Sequence, residues 1–388
     1  MATTERKVRV GFIGAGGFIS AHHLLTVRDS QVMELRGVAD IDEGRLKTHA
    51  GNMQIGYTTT DYRKLLADPK IDVIVVGTKQ DLHARFIIES LDAGKWVLCE
   101  KPMSETAAEG EAVLAAEARN PGRLAIGFNR RFAPAYADAK RLFQGVPRPW
   151  YVNYRLMYPN PGKQTGFYAN QPRMLYEGCH ILDLACWLLD DRPKRVFMTG
   201  DRFLNNCCIL DFPDGSQVSF MCGSMGTLCL WKEYLEVFGN WAAITVSDFV
   251  DMRVRGIKGE QDRVFAPYMG EHADEIQRFG FDFYEAYKVQ AFEQANADYA
   301  QRYGMDLVPV RRPISTPFEV SDYKHENPDA WSFVPDKGWV SSLEHLAACF
   351  LDGSAPGNAD GQAGALATDL ALALLESLET GQAVQLQP

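Results

Sequence analysis

The sequence lacks the features that mark membrane, secreted and nucleic-acid-binding proteins. None of its apolar runs approaches the roughly 18 to 20 residues that a helix needs to span a bilayer, and the opening stretch MATTERKVRVGF contains no signal-peptide core. Basic residues are not in excess, because 40 Lys and Arg stand against 50 Asp and Glu, for a formal net charge of -10. Proteins that bind nucleic acids neutralise phosphates with clustered Lys and Arg. We therefore expect a cytoplasmic protein with a small-molecule ligand and with neither nucleic acid nor membrane as a partner.

The cysteines are also too scattered to indicate a disulfide framework or a metal centre. The eight of them show no C-x-x-C pair and no regular spacing, and most lie in apolar stretches, which is typical of buried, reduced side chains. No set of His, Cys and carboxylate residues has the spacing of metal ligands, so we predict no metal. A chain of 388 residues, 46% of them hydrophobic, is long enough for two domains with separate cores.

Short apolar runs alternate with helical patterns in the first third of the chain. The runs are residues 8–13, 33–39, 73–77, 96–99 and 124–128, and a helical pattern begins at about Ile19. This rhythm is typical of βαβ units, which form a parallel sheet with helices on both faces. We predict an α/β fold that begins with a Rossmann domain, residues 1–128, built on a six-stranded, doubly wound parallel sheet.

Strands joined by turns replace this pattern after Trp150. Six strand-like runs lie between residues 150 and 249, and two hairpin turns are predicted at 213–215 and 239–240, since Gly and Asn tolerate positive φ. Residues 129–388 are predicted to form an α+β domain with a large, open, mainly antiparallel sheet. One face of this sheet is expected to be covered by a helix over 175–189. An insertion at about 258–335 is predicted to lie over the cleft, and a last helix over 363–380.

A glycine-rich turn follows the first strand-like run. Gly14-Ala15-Gly16 opens a helix, and Asp40 ends the next run. Such glycines allow a tight turn and the close approach of a dinucleotide pyrophosphate to helix N-terminal amides. Asp40 can accept both ribose hydroxyls and would repel a 2'-phosphate, and Ile41 follows it instead of Arg or Ser, so NAD is favoured over NADP. The third glycine of the fingerprint is replaced by Ile19, and a turn in an unrelated doubly wound fold is the alternative.

Several motifs further along point to one family. They are Glu100-Lys101-Pro102 after the run 96–99, GFIGAGGFI, VADIDEGRL, a T-x-x-x-x-H pattern from Thr78 to His83, GFNRRFAP at 127–134 and EGCHILDLACWLL at 177–189. With them the chain resembles the glucose-fructose oxidoreductase/inositol 2-dehydrogenase (Gfo/Idh/MocA) family over nearly its whole length, except about 258–335. The resemblance implies an NAD-dependent oxidoreductase with a Rossmann domain, a second domain on an open sheet, and a sugar, sugar derivative or cyclitol as substrate.

The resemblance also implies which residues meet the cofactor. The predicted contacts come from the glycine turn and the strand ends, with Asn129 at the carboxamide of the nicotinamide: Gly14, Gly16, Phe18, Ile19, Asp40, Ile41, Thr78, Gln80, His83, Glu100, Lys101 and Asn129. His83 has capping of its own helix as an alternative role, and the pair His22-His23 is predicted to be structural. The family usually has Thr-Pro where this chain has Thr78-Lys79.

Oxidation of a secondary alcohol requires a base that takes the hydroxyl proton while the hydride leaves carbon. His180 suits that role near neutral pH, and Lys101 is expected to bond the reacting oxygen from a position set by Pro102. Asp183 lies on the same helical face as His180 and is predicted to grip a neighbouring hydroxyl, with a helix end or an arginine as its alternative partner. Tyr176 stands where the family usually has Asp and is the rival proton carrier.

The predicted substrate-binding residues are Tyr176, Glu177, Asp183, Arg130 and Arg131. Salt-bridged scaffold is the alternative role of the two arginines. Glu177 is placed as in a subgroup whose motif resembles GE-x-CH.

Three functions remain open at this point. The leading one is a dehydrogenase that exchanges NAD freely. The second is a redox-neutral glycosidase or lyase that oxidises a sugar carbon transiently, eliminates a neighbouring substituent with help from an acid such as Glu177, and returns the hydride. The third, a non-catalytic nucleotide-sensing regulator, is disfavoured by the presence of Lys101 and His180. An open sheet exposes apolar surface that one helix cannot cover, so a homodimer or homotetramer is also predicted.

Overall fold

The computed structural model describes residues 6–157, 171–224, 226, 230–265 and 335–387. The chain forms two compact units, one comprising Met1–Phe132, Gly178–Leu184 and Gly338–Leu372, and the other Ala133–Glu177, Ala185–Lys337 and Ala373–Pro388. The predicted domains were two successive segments, whereas the first unit also contains two later ones. The two later segments belong to the first unit because their residues Cys179 and Leu346 pack into the cores beside the parallel sheet. Most of the predicted insertion lies outside the described residues.

The first unit is built on a six-stranded parallel sheet. Its strands are β1 (Val8–Ile13), β2 (Met33–Ala39), β3 (Tyr57–Thr59), β4 (Val73–Val76), β5 (Trp96–Cys99) and β6 (Leu124–Ile126). The order across the sheet is β3-β2-β1-β4-β5-β6, and every neighbouring pair is parallel. The predicted doubly wound sheet is confirmed. The strand order reverses between β1 and β4, which is where open α/β sheets bind ligands.

The helices differ from the predicted ones mainly at two interruptions. In chain order they are α1 (Gly17–Ala21), α2 (His23–Asp29), α3 (Glu43–Asn52), α4 (Arg63–Ala67), α5 (His83–Asp92), α6 (Ala107–Arg119), α7 (Pro134–Phe143), α8 (Cys179–Leu189), α9 (Trp339–Asp352) and α10 (Gly361–Thr380). His22, with φ -125° and ψ -71°, separates α1 from α2. A π-helical turn over Met174–Gly178 precedes α8. No helix in the described parts of the chain is both long and apolar enough to cross a membrane.

Both faces of the parallel sheet are buried. Val73 and Val75 of β4 point into a core that includes residues of α2 and α9, whereas Ile74 and Val76 point into a core that includes residues of α5 and α6. Successive residues of a strand face opposite sides, so a strand covered on both sides is apolar at every position. This accounts for the continuous apolar runs of the first third of the sequence.

The second unit is built on a nine-stranded sheet. Its strands are β7 (Tyr151–Met157), β8 (Arg195–Gly200), β9 (Asn205–Asp211), β10 (Gln217–Gly223), β11 (Glu233–Gly239), β12 (Ala242–Ser247), β13 (Asp251–Arg255), β14 (Arg263–Val264) and β15 (Val384–Gln385). The order is β14-β13-β12-β11-β7-β10-β9-β8-β15, antiparallel except between β7 and β10. Positive φ angles at Gly215 and Asn240 lie in the two predicted hairpin turns, and the second turn extends one residue further, to Trp241. The predicted mainly antiparallel sheet is confirmed.

The two faces of this sheet differ in character. Val152, Tyr154 and Leu156 of β7 are buried, and the ring of Tyr136 on α7 contacts that of Phe249 with centroids 4.4 Å apart. The opposite face, here called the open face, carries the exposed apolar side chains Tyr151, Ile209, Met221 and Phe238. Cys207 is exposed as well, so the prediction of buried cysteines is wrong for this one, because it occupies an outward position of β9.

Candidate active site

The glycines of the turn between β1 and α1 differ in what surrounds them. Gly14 has a φ of +93°, and a Cβ there would lie 2.5 Å from the carbonyl oxygen of Gly77, so only glycine fits. A Cβ at Gly16 or Gly17 would instead lie in open space. No described atom of the protein therefore fills the space beside Gly16 and Gly17. This geometry admits the close approach of a pyrophosphate to the backbone.

Ile19 occupies the third glycine position of the fingerprint. The room for its side chain comes from Gly77, at the end of the neighbouring strand. Ile19 is 2% exposed, and a Cβ on Gly77, just after β4, would overlap with its side chain. The third glycine normally allows a helix to pack closely on a strand. Here Gly77 supplies that close approach, so the departure from the glycine pattern leaves the turn intact.

Asp40 lies just after β2, next to the glycine turn. Its Oδ2 accepts a hydrogen bond from the backbone N–H of Ala15 at 2.8 Å, and its Oδ1 accepts one from that of Asp42 at 2.9 Å. Arg45 of α3 donates to both carboxylate oxygens at 2.9 Å, a partner that the sequence analysis missed. An arginine near this position can meet a 2'-phosphate. The choice between NAD and NADP therefore depends on which of the two side chains faces the ribose.

The surroundings of Asp40 fit a dinucleotide. Ile41 is 93% exposed and offers an apolar surface beside the carboxylate, where an adenine ring can lie. Thr78 begins the loop after β4, on the other side of the sheet's switch point. Lys79 stands where the resemblance has proline, and its φ of -66° is the value that a proline imposes. The loop therefore keeps the backbone shape expected of a Thr-Pro pair.

Glu100 is the buried anchor of the Glu100-Lys101-Pro102 tripeptide after β5. Its Oε1 lies 2.8 Å from Nε2 of His23, and its Oε2 accepts the backbone N–H of Lys101 at 3.3 Å. Burial raises the pKa of Glu100, but the hydrogen bond with His23 and the attraction of Lys101 outweigh it and hold that pKa below its usual value. A Cβ on Gly127 would lie 3.1 Å from the carboxyl carbon, so this glycine makes room for the carboxylate.

His83, at the start of α5, is almost completely buried between two loops. Its Nδ1 lies 2.8 Å from the carbonyl oxygen of Pro102, and its Nε2 lies 3.2 Å from that of Thr78. Burial lowers the pKa of His83, which favours the neutral ring. Capping of its own helix, the alternative considered from the sequence, is wrong, because both ring nitrogens face carbonyl oxygens of other segments. A contact between His83 and the cofactor stays a prediction.

His180 lies in the same unit as the tripeptide. It is 6% exposed, and its ring meets the edge of Phe128 with centroids 6.1 Å apart. Cys179 shares one core cluster with Phe128 and with Cys99 and Met103, which flank the tripeptide. Asn129, at the end of β6, is buried and begins a short 3-10 turn. The structure thus gathers His180, Asn129 and the tripeptide around the carboxyl ends of β5 and β6.

Asp183 is engaged by an arginine. Arg131 donates through Nε to Oδ2 at 2.9 Å and through Nη2 to Oδ1 at 2.5 Å, and the carboxylate side chain is 1% exposed. This bidentate pair is the arginine partner that the sequence analysis left open as the alternative role of Asp183. It also matches the scaffold role that was considered for Arg131. Arg130 is buried next to it.

Tyr176 and Glu177 lie in the π-helical turn and belong to the second unit. Tyr176 is 7% exposed. The helix predicted over 175–189 would place Tyr176 one α-helical turn before His180. The continuous helix is wrong at this point, since a π turn takes more residues per turn and changes which side chains share a face. Such turns often accompany functional sites.

Comparison with known proteins agrees with this architecture. Residues 8–128 match the Gfo/Idh/MocA model, described as an oxidoreductase family with an NAD-binding Rossmann fold. The uncharacterized oxidoreductase YrbE of Bacillus subtilis is 30% identical over 202 residues, which cover 52% of this chain and 59% of that protein. An inositol 2-dehydrogenase of Acidothermus cellulolyticus is 32% identical over 203 residues, covering 51% of this chain and 58% of that protein.

A solved structure extends the likeness in fold to nearly the whole chain. Myo-inositol dehydrogenase of Lactobacillus casei, in complex with NAD(H) and myo-inositol, superposes with a TM-score of 0.71 at 17% identity, covering 98% of this chain and 97% of that one. In sequence, the chain spans less than two thirds of the length of the two curated relatives. Residues 8–128 therefore form a Rossmann domain that matches the NAD-binding domain of the Gfo/Idh/MocA oxidoreductases.

Proposed function

We propose that the protein is an NAD-dependent dehydrogenase that moves a hydride between nicotinamide and a secondary hydroxyl or ketone of a sugar, sugar derivative or cyclitol. The observation that carries this proposal is the position of Lys101. Lys101 lies just after β5, and its backbone N–H donates to the buried, ionised carboxylate of Glu100. This place is near the switch point of an NAD-binding sheet. The inositol 2-dehydrogenases among its relatives favour a cyclitol within this substrate class. The proposal is tested by whether the purified protein reduces NAD when an inositol is added.

The side chains of the first unit divide the chemistry between them. NAD, when bound, accepts the hydride. Lys101 carries a positive charge that stabilises the developing alkoxide on the reacting carbon, and His180 takes the hydroxyl proton. The pair of Arg131 with Asp183 joins the 3-10 turn after β6 to the N-terminal half of α8, which also carries His180, and so supports the orientation of the histidine.

Replacing His180 with Ala is expected to lower turnover by about 10² to 10⁴-fold, the usual contribution of a general base. The rate profile should also lose the ionisation near neutral pH that a catalytic histidine produces. Steady-state kinetics over a pH series checks both effects. Tyr176→Phe is the rival variant, because Tyr176 stands at the position where the family usually has an acid. Near-full activity of the His180 variant together with loss of activity in Tyr176→Phe would make the tyrosine the proton carrier.

Cofactor choice is the next prediction. We expect NAD to bind at least about tenfold tighter than NADP, a difference of about 1.4 kcal/mol, because the Asp40 carboxylate repels a 2'-phosphate. Asp40→Ser should narrow this gap, since it removes the repulsion and releases Arg45. Asp29→Ser, at an exposed acid of α2, should leave the gap unchanged. Calorimetric titration of both cofactors gives the comparison. Equal dissociation constants in the unsubstituted protein would contradict the role of Asp40.

Assembly is predicted to use the open face of the nine-stranded sheet. Tyr151 of β7 is paired with Phe238 of β11, and both are more than two fifths exposed. Apolar patches of this kind are typical of interfaces, so we propose a homodimer or homotetramer. Light scattering at micromolar concentration should give a multiple of the chain mass, and Phe238→Asp should reduce it. Leu351→Asp, at a similarly exposed apolar residue of α9, is the matched control. A monomeric mass for the unsubstituted protein would refute the proposal.

A further inference from the structure

Two buried histidines hold the residues on either side of Lys101. His23 is bonded to the side chain of Glu100, which precedes the lysine, and His83 is bonded to the carbonyl of Pro102, which follows it. Both histidines are at most 2% exposed. They come from different helices, α2 and α5, which lie on opposite faces of the parallel sheet. The lysine is therefore held from both sides of the sheet.

The bond on the Glu100 side is directional. A carboxylate accepts hydrogen bonds, so the 2.8 Å contact requires a proton on Nε2 of His23. The other oxygen of the same carboxylate accepts the backbone N–H of Lys101. His23 therefore acts on Lys101 through one shared carboxylate, which is fixed at one oxygen by the histidine and at the other by the lysine backbone.

The bond on the Pro102 side is directional as well. A carbonyl oxygen only accepts, and a neutral imidazole carries one N–H. The contact of Nδ1 with Pro102 is the shorter of the two made by His83, at 2.8 Å against 3.2 Å to Thr78. His83 therefore donates from Nδ1 to Pro102, and its other nitrogen lies against the loop after β4. This ring spans the loops that follow two neighbouring strands, β4 and β5.

We infer that His23 and His83 are positioning residues that hold the backbone of Lys101 where its ammonium group meets the reacting oxygen. This inference rests on the proposed function and extends it to two residues that do not themselves meet the reacting atoms. Displacing a catalytic group by about 1 Å can cost on the order of a hundredfold in rate. Loss of either hydrogen bond is therefore expected to lower kcat about tenfold to a hundredfold, with little change in the KM for NAD at His23, which is not among the predicted cofactor contacts.

The two histidines use different nitrogens, and this provides an internal control. A glutamine amide lies as far from Cβ as Nε2 of histidine, and an asparagine amide lies as far from Cβ as Nδ1. His23→Gln and His83→Asn should therefore keep the bonds to Glu100 and Pro102, whereas His23→Asn and His83→Gln should lose them. Each substitution is conservative at one position and disruptive at the other. A difference in the intrinsic stability or size of Asn and Gln cannot produce this reciprocal pattern.

The experiment measures all four variants in two ways. Amide hydrogen exchange of a peptide covering residues 99–104 reports the order of the lysine loop without any substrate. Steady-state kinetics with NAD and the best cyclitol or sugar reports kcat and KM separately. We expect His23→Gln and His83→Asn to resemble the unsubstituted protein, and the other two variants to exchange faster in this peptide and to lose kcat. Thermal unfolding midpoints identify any variant that fails to fold.

The outcomes separate this inference from the proposed function. The positioning role would be overturned if all four variants showed equal exchange in the lysine loop. It would also be overturned if the same residue type, Asn or Gln, caused the loss at both positions. If the unsubstituted protein oxidises no cyclitol or sugar, the proposed function fails, and the exchange pattern still decides whether the two histidines hold the loop.

Discussion

Replacing Lys101 with Met is expected to lower turnover about a hundredfold or more while leaving most of the affinity for NAD intact. One preorganised charge beside a developing oxyanion typically contributes roughly 3 to 4 kcal/mol to transition-state stabilisation. Lys101 is placed for this role because its backbone N–H bonds the buried carboxylate of Glu100 after β5. Methionine keeps most of the length of the side chain but removes the ammonium group, with its charge and its hydrogen-bond donors. The expected loss is therefore in kcat.

Steady-state kinetics and calorimetric titration with NAD measure the two quantities separately. Lys47→Met, at an exposed lysine of α3, is the matched control and should retain both activity and cofactor affinity. A Lys101→Met protein that keeps its kcat, or that loses NAD binding as strongly as turnover, would remove Lys101 from the chemistry of the reacting oxygen.

The second large effect is on stability. Lys337→Met is expected to lower the free energy of unfolding by about 3 to 5 kcal/mol, because it removes the ammonium group that is bonded to the buried carboxylate of Glu233. Nζ of Lys337 donates to Oε1 of Glu233 at 2.9 Å, and the two side chains are 3% and 0% exposed. The hydroxyl of Tyr154 donates to the other oxygen, Oε2, at 2.5 Å. A hydroxyl hydrogen bond does not neutralise the charge that remains after the substitution.

Urea unfolding of single and double variants tests this account. Adding Glu233→Gln to Lys337→Met should recover part of the loss, since the buried charge is then removed. Arg28→Met breaks an exposed ion pair with Asp29 and should leave the midpoint unchanged. A Lys337→Met midpoint equal to that of the Arg28 variant would show that Glu233 is not the buried charge described here.

The parallel sheet was largely predictable because of how it is buried. Strands such as β4 and β5 are covered on both faces and appear in the sequence as short continuous apolar runs. β3, at the sheet edge, was not recognised, since its three residues are only half-buried and show no apolar pattern. β13 was missed as well, because it has only two apolar residues, Met252 and Val254, among a buried Asp251 and two exposed arginines.

The candidate site was predictable where a local motif carries it, and not where it depends on distant partners. Gly14, Asp40 and Lys101 lie just after strands, so their positions follow from the strand pattern. The partners of these residues come from other elements, as with His23 and Glu100, which are 77 residues apart in sequence. Only tertiary packing brings such pairs together. The π turn before α8 has no signature in composition or periodicity, so the segment read as one continuous helix.

The most direct test of the proposed dehydrogenase is a screen of inositols, sugars and glycosides with NAD in which NADH absorbance and product mass are followed together. We expect NADH to form in step with a product two hydrogen atoms lighter than its substrate, with a cyclitol among the best substrates. A product of changed mass without any net NADH would contradict this account and would select instead the cycle of transient oxidation, elimination and reduction.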